Sequence, residues 1–136
     1  MYEYSCEIVR VVDGDTVDVN IDLGFGIWIR NERIRLYAID TPESRTSDAE
    51  EKKYGLAAKA AVEGWLPEGS KQVLITVKDN VGKFGRVLGK FRIDDDEEYL
   101  NAWLVTNYHA AEYYGQSKEE IKQVHLANRS HVEVEE

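Results

Sequence analysis

The chain has 136 residues, 43% of them hydrophobic, with 3 Trp, 8 Tyr and 3 Phe. That is enough apolar material for one core and too much for a disordered chain. Lys and Arg number 17 against 26 Asp and Glu, a net charge of −9, the wrong sign for binding nucleic acid by bulk charge. Any such binding therefore needs a local basic site. No run reaches the ~20 apolar residues of a membrane helix, and MYEYSCEIVR does not read as a signal peptide, so the default expectation is an intracellular, cytoplasmic protein, with secretion the alternative if a leader was removed. Cys6 is the single cysteine, which excludes an internal disulfide and a zinc site built on paired cysteines.

The stretch EYSCEIVRVVDGDTVDVNIDLG reads as two strands, with Val17, Val19 and Ile21 alternating on one face. Asp13-Gly14 forms the turn between them, a dipeptide with easy access to positive φ. Gly24 and Gly26 mark a looser connection to a third strand in WIRNERIRLYAI. A helix follows. Ser47 and Glu50 read as a capping box at its start, and Leu56, Ala57, Ala60, Ala61 and Trp65 recur at helical spacing as its buried face. Gly64, Pro67 and Gly69 end it near Trp65.

Two further strands, KQVLITVKD and GRVLGKFRID, flank a loop holding Gly82 and Gly85. A short helix around YLNAWLVTN comes next. A last helix opens at Ser117, capped in a box with Glu120, with Ile121, Val124 and Leu126 as its apolar stripe. With no repeat, low-complexity tract or flexible linker, residues 1–136 read as one domain, its core over about 5–129 and a frayed acidic tail over 130–136. The order strand-strand-strand-helix-strand-strand is that of an OB-fold, a five-stranded Greek-key barrel, mainly β within an α+β class, with about three helices.

Three clusters carry candidate chemistry. In VVDGDT, Asp13 and Asp15 flank a turn. Paired carboxylates there suit a hard cation such as calcium, which takes about 6–8 oxygen ligands, although a plain Asp-Gly hairpin explains the residues as well. An EF-hand is excluded, because its Gly and Glu places, counted from Asp13, hold Asp18 and Gly24. In RIRLYAIDTPE, Asp40, Thr41 and Glu43 crowd a strand end. Arg35 lies five residues before Asp40, so a regular strand puts the two on opposite faces unless a bulge intervenes. In KFGR, Lys83 and Arg86 form either a phosphate clamp or a glycine turn between solvated bases.

Taken together, VVDGDT, RLYAIDTPE, KYGLAA, KFGR and LNAWLV, in that order over about residues 5–129, resemble the staphylococcal nuclease (thermonuclease-like) family. The resemblance implies that Asp15, Asp40 and the backbone carbonyl of Thr41 hold a calcium ion, with Asp13 supporting the metal from further out. It implies that Arg35 and Arg86 grip the scissile phosphate, that Glu43 orients or deprotonates the attacking water, and that Lys83 and Tyr114 contact a neighbouring phosphate. The activity so implied is calcium-dependent hydrolysis of DNA and RNA with little sequence preference. Single-stranded or unpaired regions are favoured, the 5′-oxygen leaves, and 3′-phosphate ends result. The expected partner is nucleic acid, with no membrane, and the expected state is a monomer.

The chain departs from that family in several places. Phe84 stands where Tyr is common, the GFGIW connection is longer, the last helix ends early, and the net charge is acidic. The alternative reading is a catalytically silent OB module that binds nucleic acid or protein. Such modules lose the acids and arginines that are all present here. The run DDDEE (94–98) reads as a solvated turn. His109, His125 and His131 lack zinc-site spacing, His125 being placed on a helix face, and Cys6 reads as a small packed group. Tyr108, Tyr113 and Tyr114 either stack bases or pack in the core.

Overall fold

The computed structural model describes residues 2–81, 87–93 and 98–134. Strand β1 (Tyr2–Asp13) pairs antiparallel with β2 (Thr16–Asp22), and β2 with β3 (Trp28–Leu36). Strands β5 (Lys71–Val81) and β6 (Val87–Arg92) form the second antiparallel pair. Parallel pairing of β3 with β6 and antiparallel pairing of β1 with β5 close the barrel in the order β1-β2-β3-β6-β5. This is the expected OB architecture, and closure leaves the barrel no open edge.

The alternation that predicted the strands also fills the barrel. Val17, Val19, Ile21, Ile34, Leu36, Leu74 and Phe91 point inward and are buried, with Cys6 and Ile8 from β1. Two irregularities in β1, at Ile8/Arg10 and at Val11/Asp13, break the period of two, so Val11 and Val12 are both buried. The packed thiol of Cys6 matches its expected role, and burial pushes its pKa up to about 12.

Helix α1 (Ala49–Trp65) differs from the sequence reading at both its cap and its face. Its N-cap is Asp48, whose carboxylate accepts from the backbone N–H groups of Glu50 and Glu51. Asp48 lies one residue nearer to those amides than Ser47 and takes the capping role. The buried face is Gly55, Ala58 and Val62, while Leu56 and Trp65 are exposed. Small side chains face inward because the helix lies against backbone: a Cβ on Gly55 would collide with the Glu43 carbonyl group and come 2.6 Å from Ser44 N. Hydrophobicity alone selects the wrong stripe where close approach is what the site requires.

Helix α2 (Leu100–Thr106) buries Leu100, Asn101 and Leu104. The Asn101 amide donates to the carbonyls of Tyr37 at 3.0 Å and Gly89 at 3.2 Å, tying α2 to the exit of β3. Beyond the barrel, β4 (Ile39–Asp40) pairs with β7 (Ala111–Glu112). Helix α3 (Lys118–Asn128) follows, capped by Ser117 as expected. Its buried residue is Ile121, whereas Val124 and Leu126 are exposed. A 3-10 turn, Arg129–His131, ends the described helical segment.

Candidate active site

The site lies where the β1–β2 turn, the end of β3, β4 and the start of the loop into α1 converge. The reason for Gly14 differs from the expected one. Gly14 is not among the residues with positive φ; a Cβ on it would come 2.8 Å from Thr41 Oγ1 and 2.9 Å from Ala58 Cβ. The glycine is needed for close approach, bringing the DGD turn, Thr41 and α1 into one contact.

Arg35 and Asp40 meet despite their odd separation. Strand β3 stops at Leu36, Ala38 adopts φ +63°, and the chain resumes as β4. This turn, in place of a bulge within one strand, resets the alternation. Arg35 Nη1 lies 3.1 Å from Asp15 Oδ2, and Nη2 lies 3.3 Å from Asp40 Oδ1. The Arg35 side chain is 16% exposed, and its guanidinium spans both carboxylates. Asp15 is further fixed by the Thr16 hydroxyl, 3.0 Å from Oδ1, and by Thr41 N–H, 3.3 Å from Oδ2.

Glu43 follows buried Pro42, whose ring fixes φ, and its backbone N–H donates to Glu51 Oε2 at 3.0 Å. Its side chain is exposed, yet the carboxyl pKa is raised. Partial burial is the main cause, followed by the negative charges of Asp13, Asp15, Asp40 and Glu51. Asp15 is raised as well, chiefly by burial, with Arg35 opposing and Asp40 and Asp13 adding. These acids sense one another, each negative charge making the next harder to form.

The donor chemistry fits a hard divalent ion. Asp15 and Asp40 each turn a carboxylate oxygen to the one Arg35 guanidinium, and buried Thr41 Oγ1 has no hydrogen-bond partner among the described residues. Among the described residues no three His, Cys, Asp or Glu side chains form a complete cage, so carbonyl oxygen and water would complete the shell.

His125 is a participant the sequence reading passed over. Its Nε2 lies 2.8 Å from Asp40 Oδ2, where an N–H on that nitrogen donates. The signal was present: His125 is four residues after buried Ile121 and so shares its inward face. Pairing of β4 with β7 brings α3 to Asp40. Tyr114 stands three residues past Ala111, the partner of Asp40. The residue is 77% exposed, and its backbone N–H donates to Gln116. Tyr108 and Tyr113 are exposed too, which sets aside core packing for them. Lys83, Phe84 and Arg86, like residues 94–97 of the acidic run, lie outside the described residues.

The model of the staphylococcal nuclease homologue family matches residues 33–131. The chain belongs to that family. The matched span carries Arg35, Asp40, Thr41, Glu43 and His125, while Asp15 precedes it. A relative, protein ParB of Escherichia coli, is 36% identical over 87 residues, covering 64% of this chain. That match covers 41% of ParB, so this staphylococcal nuclease homologue spans less than half of its relative's length.

Proposed function

We propose that this staphylococcal nuclease homologue is a calcium-dependent endonuclease that hydrolyses DNA and RNA with little sequence preference, releasing the 5′-oxygen and leaving 3′-phosphate ends. The observation that carries the reading is the bridge Asp15–Arg35–Asp40, with the raised carboxyl of Glu43 beside it. A divalent ion at Asp15, Asp40 and the Thr41 carbonyl, when bound, supplies positive charge against the charge that grows on the phosphate oxygens.

Arg35 contributes a planar fork that binds two phosphate oxygens at once, stabilising the equatorial charge of the transition state. In this reading Arg86 supplies a second fork, and Lys83 and Tyr114 hold the adjacent phosphate. Glu43 takes the proton from the attacking water. Its raised pKa makes it a stronger base than a free carboxylate, closer to the match that proton transfer at neutral pH rewards. His125 and Thr41 N–H keep Asp40 and Asp15 oriented.

The test is Glu43→Gln, which keeps size and hydrogen-bonding reach and removes proton-accepting power. Turnover on single-stranded DNA in calcium should fall by about 10²–10⁴, with little change in calorimetric calcium affinity or thermal stability. A variant that hydrolyses at the parent rate removes Glu43 as the base. A parent that binds DNA without hydrolysing it favours the silent binding module.

A further inference from the structure

The outer face of β1–β2–β3 carries a second basic group that the site above does not use. Asp18 sits between two arginines across neighbouring strands, registered with Arg10 on β1 and Arg33 on β3. Arg33 holds it with two bonds, Nε to Oδ1 at 2.9 Å and Nη2 to Oδ2 at 3.2 Å, while Arg10 Nε lies 3.0 Å from Oδ2. The Asp18 side chain is only 10% exposed, whereas the arginine side chains are 54% and 45% exposed. Hydrogen bonding from Arg33, ahead of the other causes, lowers the Asp18 pKa, so the acid stays ionised and the arginines stay fixed.

Both guanidiniums turn their Nε edges to Asp18, and this arrangement leaves other N–H donors directed away from it. Two positive charges share one negative charge, for a local surplus of one. The group is also placed in line with the active site. Arg33 and Arg35 are two residues apart on one strand and so share a face, with Thr16 opposite Arg35 and Asp18 opposite Arg33. Two residues along a strand is about 6.8 Å, the scale of a step to a further phosphate along an extended strand. On the next row, Asn20 donates to Glu7 at 3.4 Å, and the positive stretch ends there. In a chain of net charge −9, a local surplus of this kind is what a polyanion requires.

We infer that Arg10 and Arg33, braced by Asp18, form a subsite for a backbone phosphate of single-stranded nucleic acid beyond the one held at Arg35. The inference rests on the nuclease reading for its ligand, a polynucleotide lying across the sheet face. Bracing matters because a guanidinium already held by Asp18 loses little side-chain freedom when phosphate arrives.

The test compares two ligand lengths by fluorescence anisotropy in calcium. Proteins carry Glu43→Gln so that substrate persists. The ligands are a dithymidylate and an oligothymidylate of about twelve nucleotides, within the ~4–16 nucleotide footprint of OB folds. Arg10→Gln, Asp18→Asn and Arg33→Gln are introduced together, so that no buried charge is left unpaired. Arg10→Gln alone is the second, milder variant.

The triple variant should bind the long ligand at least about tenfold more weakly, as expected for hydrogen bonds to charged groups. Its salt slope should shrink by about 0.7, the value for the one phosphate that the arginines no longer neutralise, and the slope of Arg10→Gln alone by less than that. The short ligand should be affected less than the long one. Equal affinity and slope for the long ligand overturn the subsite, as does an equal weakening for both lengths. A parent that fails to bind the long ligand overturns it as well. If the length-dependent weakening appears but the chain without Glu43→Gln leaves DNA intact, the nuclease reading falls and the subsite stands.

Discussion

Gly55→Ala tests whether the active site depends on backbone-to-backbone contact between α1 and the Glu43 loop. In an unobstructed helix interior the change would stabilise the fold by about 0.8–1.0 kcal/mol. Here the new Cβ would meet the Glu43 carbonyl and Ser44 N, atoms that have no rotamer to yield. Overpacking of this kind costs about 1–3 kcal/mol, and the upper part of that range applies against backbone, for a net loss of about 1–2 kcal/mol. The same displacement moves Glu43, so turnover should fall with stability. Gly64→Ala in the same helix is the control: nothing lies within 4 Å of its Cβ, so it should gain up to about 1 kcal/mol. Urea denaturation measures both. If Gly55→Ala is as stable as the parent while Gly64→Ala gains, the helix is not seated on the Glu43 backbone and the reasoning fails.

Other perturbations probe separate parts of the account. Arg35→Lys replaces the fork that reaches Asp15 and Asp40 with a point charge, and turnover should drop by about 10²–10³, the scale for a key electrostatic donor. Cys6, buried with its pKa pushed up to about 12, should resist alkylation at pH 8 until the protein is unfolded; rapid labelling of the native chain would contradict its packing. His109 has its pKa lowered by burial below the ordinary 6.5. The stability this confers is complete above pH 6.5 and is lost as pH falls through the lowered folded value. Chemical denaturation should show a slope of at most about 1.4 kcal/mol per pH unit from this group, which His109→Gln should flatten.

The barrel was legible because Val17, Val19 and Ile21 alternate along β2 and Ile34 and Leu36 along the end of β3, and closed sheets with one buried face impose that period on the sequence. Asp15, Arg35, Asp40, Thr41 and Glu43 were legible as residue types in motifs. How Arg35 reaches Asp40 was not, because one left-handed residue, Ala38, resets the strand and nothing about alanine announces positive φ. The face of α1 was misread because its packing partner is backbone, which selects Gly55 and Ala58 over Leu56. By sequence Gly14 reads as a turn residue, whereas its neighbours, Thr41 and Ala58, set the requirement. The pairing of Asp18 with two arginines follows from strand register, which local patterns do not encode; spacing from Ile121 marks the inward face of His125, but its partner Asp40 follows from helix docking.

The central claim is cation-dependent phosphodiester hydrolysis at the Asp15–Arg35–Asp40 bridge. Its most direct measurement is incubation of single-stranded DNA with the protein in calcium and, separately, in chelator, followed by end-group analysis of the products. The account predicts fragments with 3′-phosphate and 5′-hydroxyl ends in calcium and intact DNA in chelator. Intact DNA under both conditions, equal cleavage under both, or fragments with 5′-phosphate ends would contradict it.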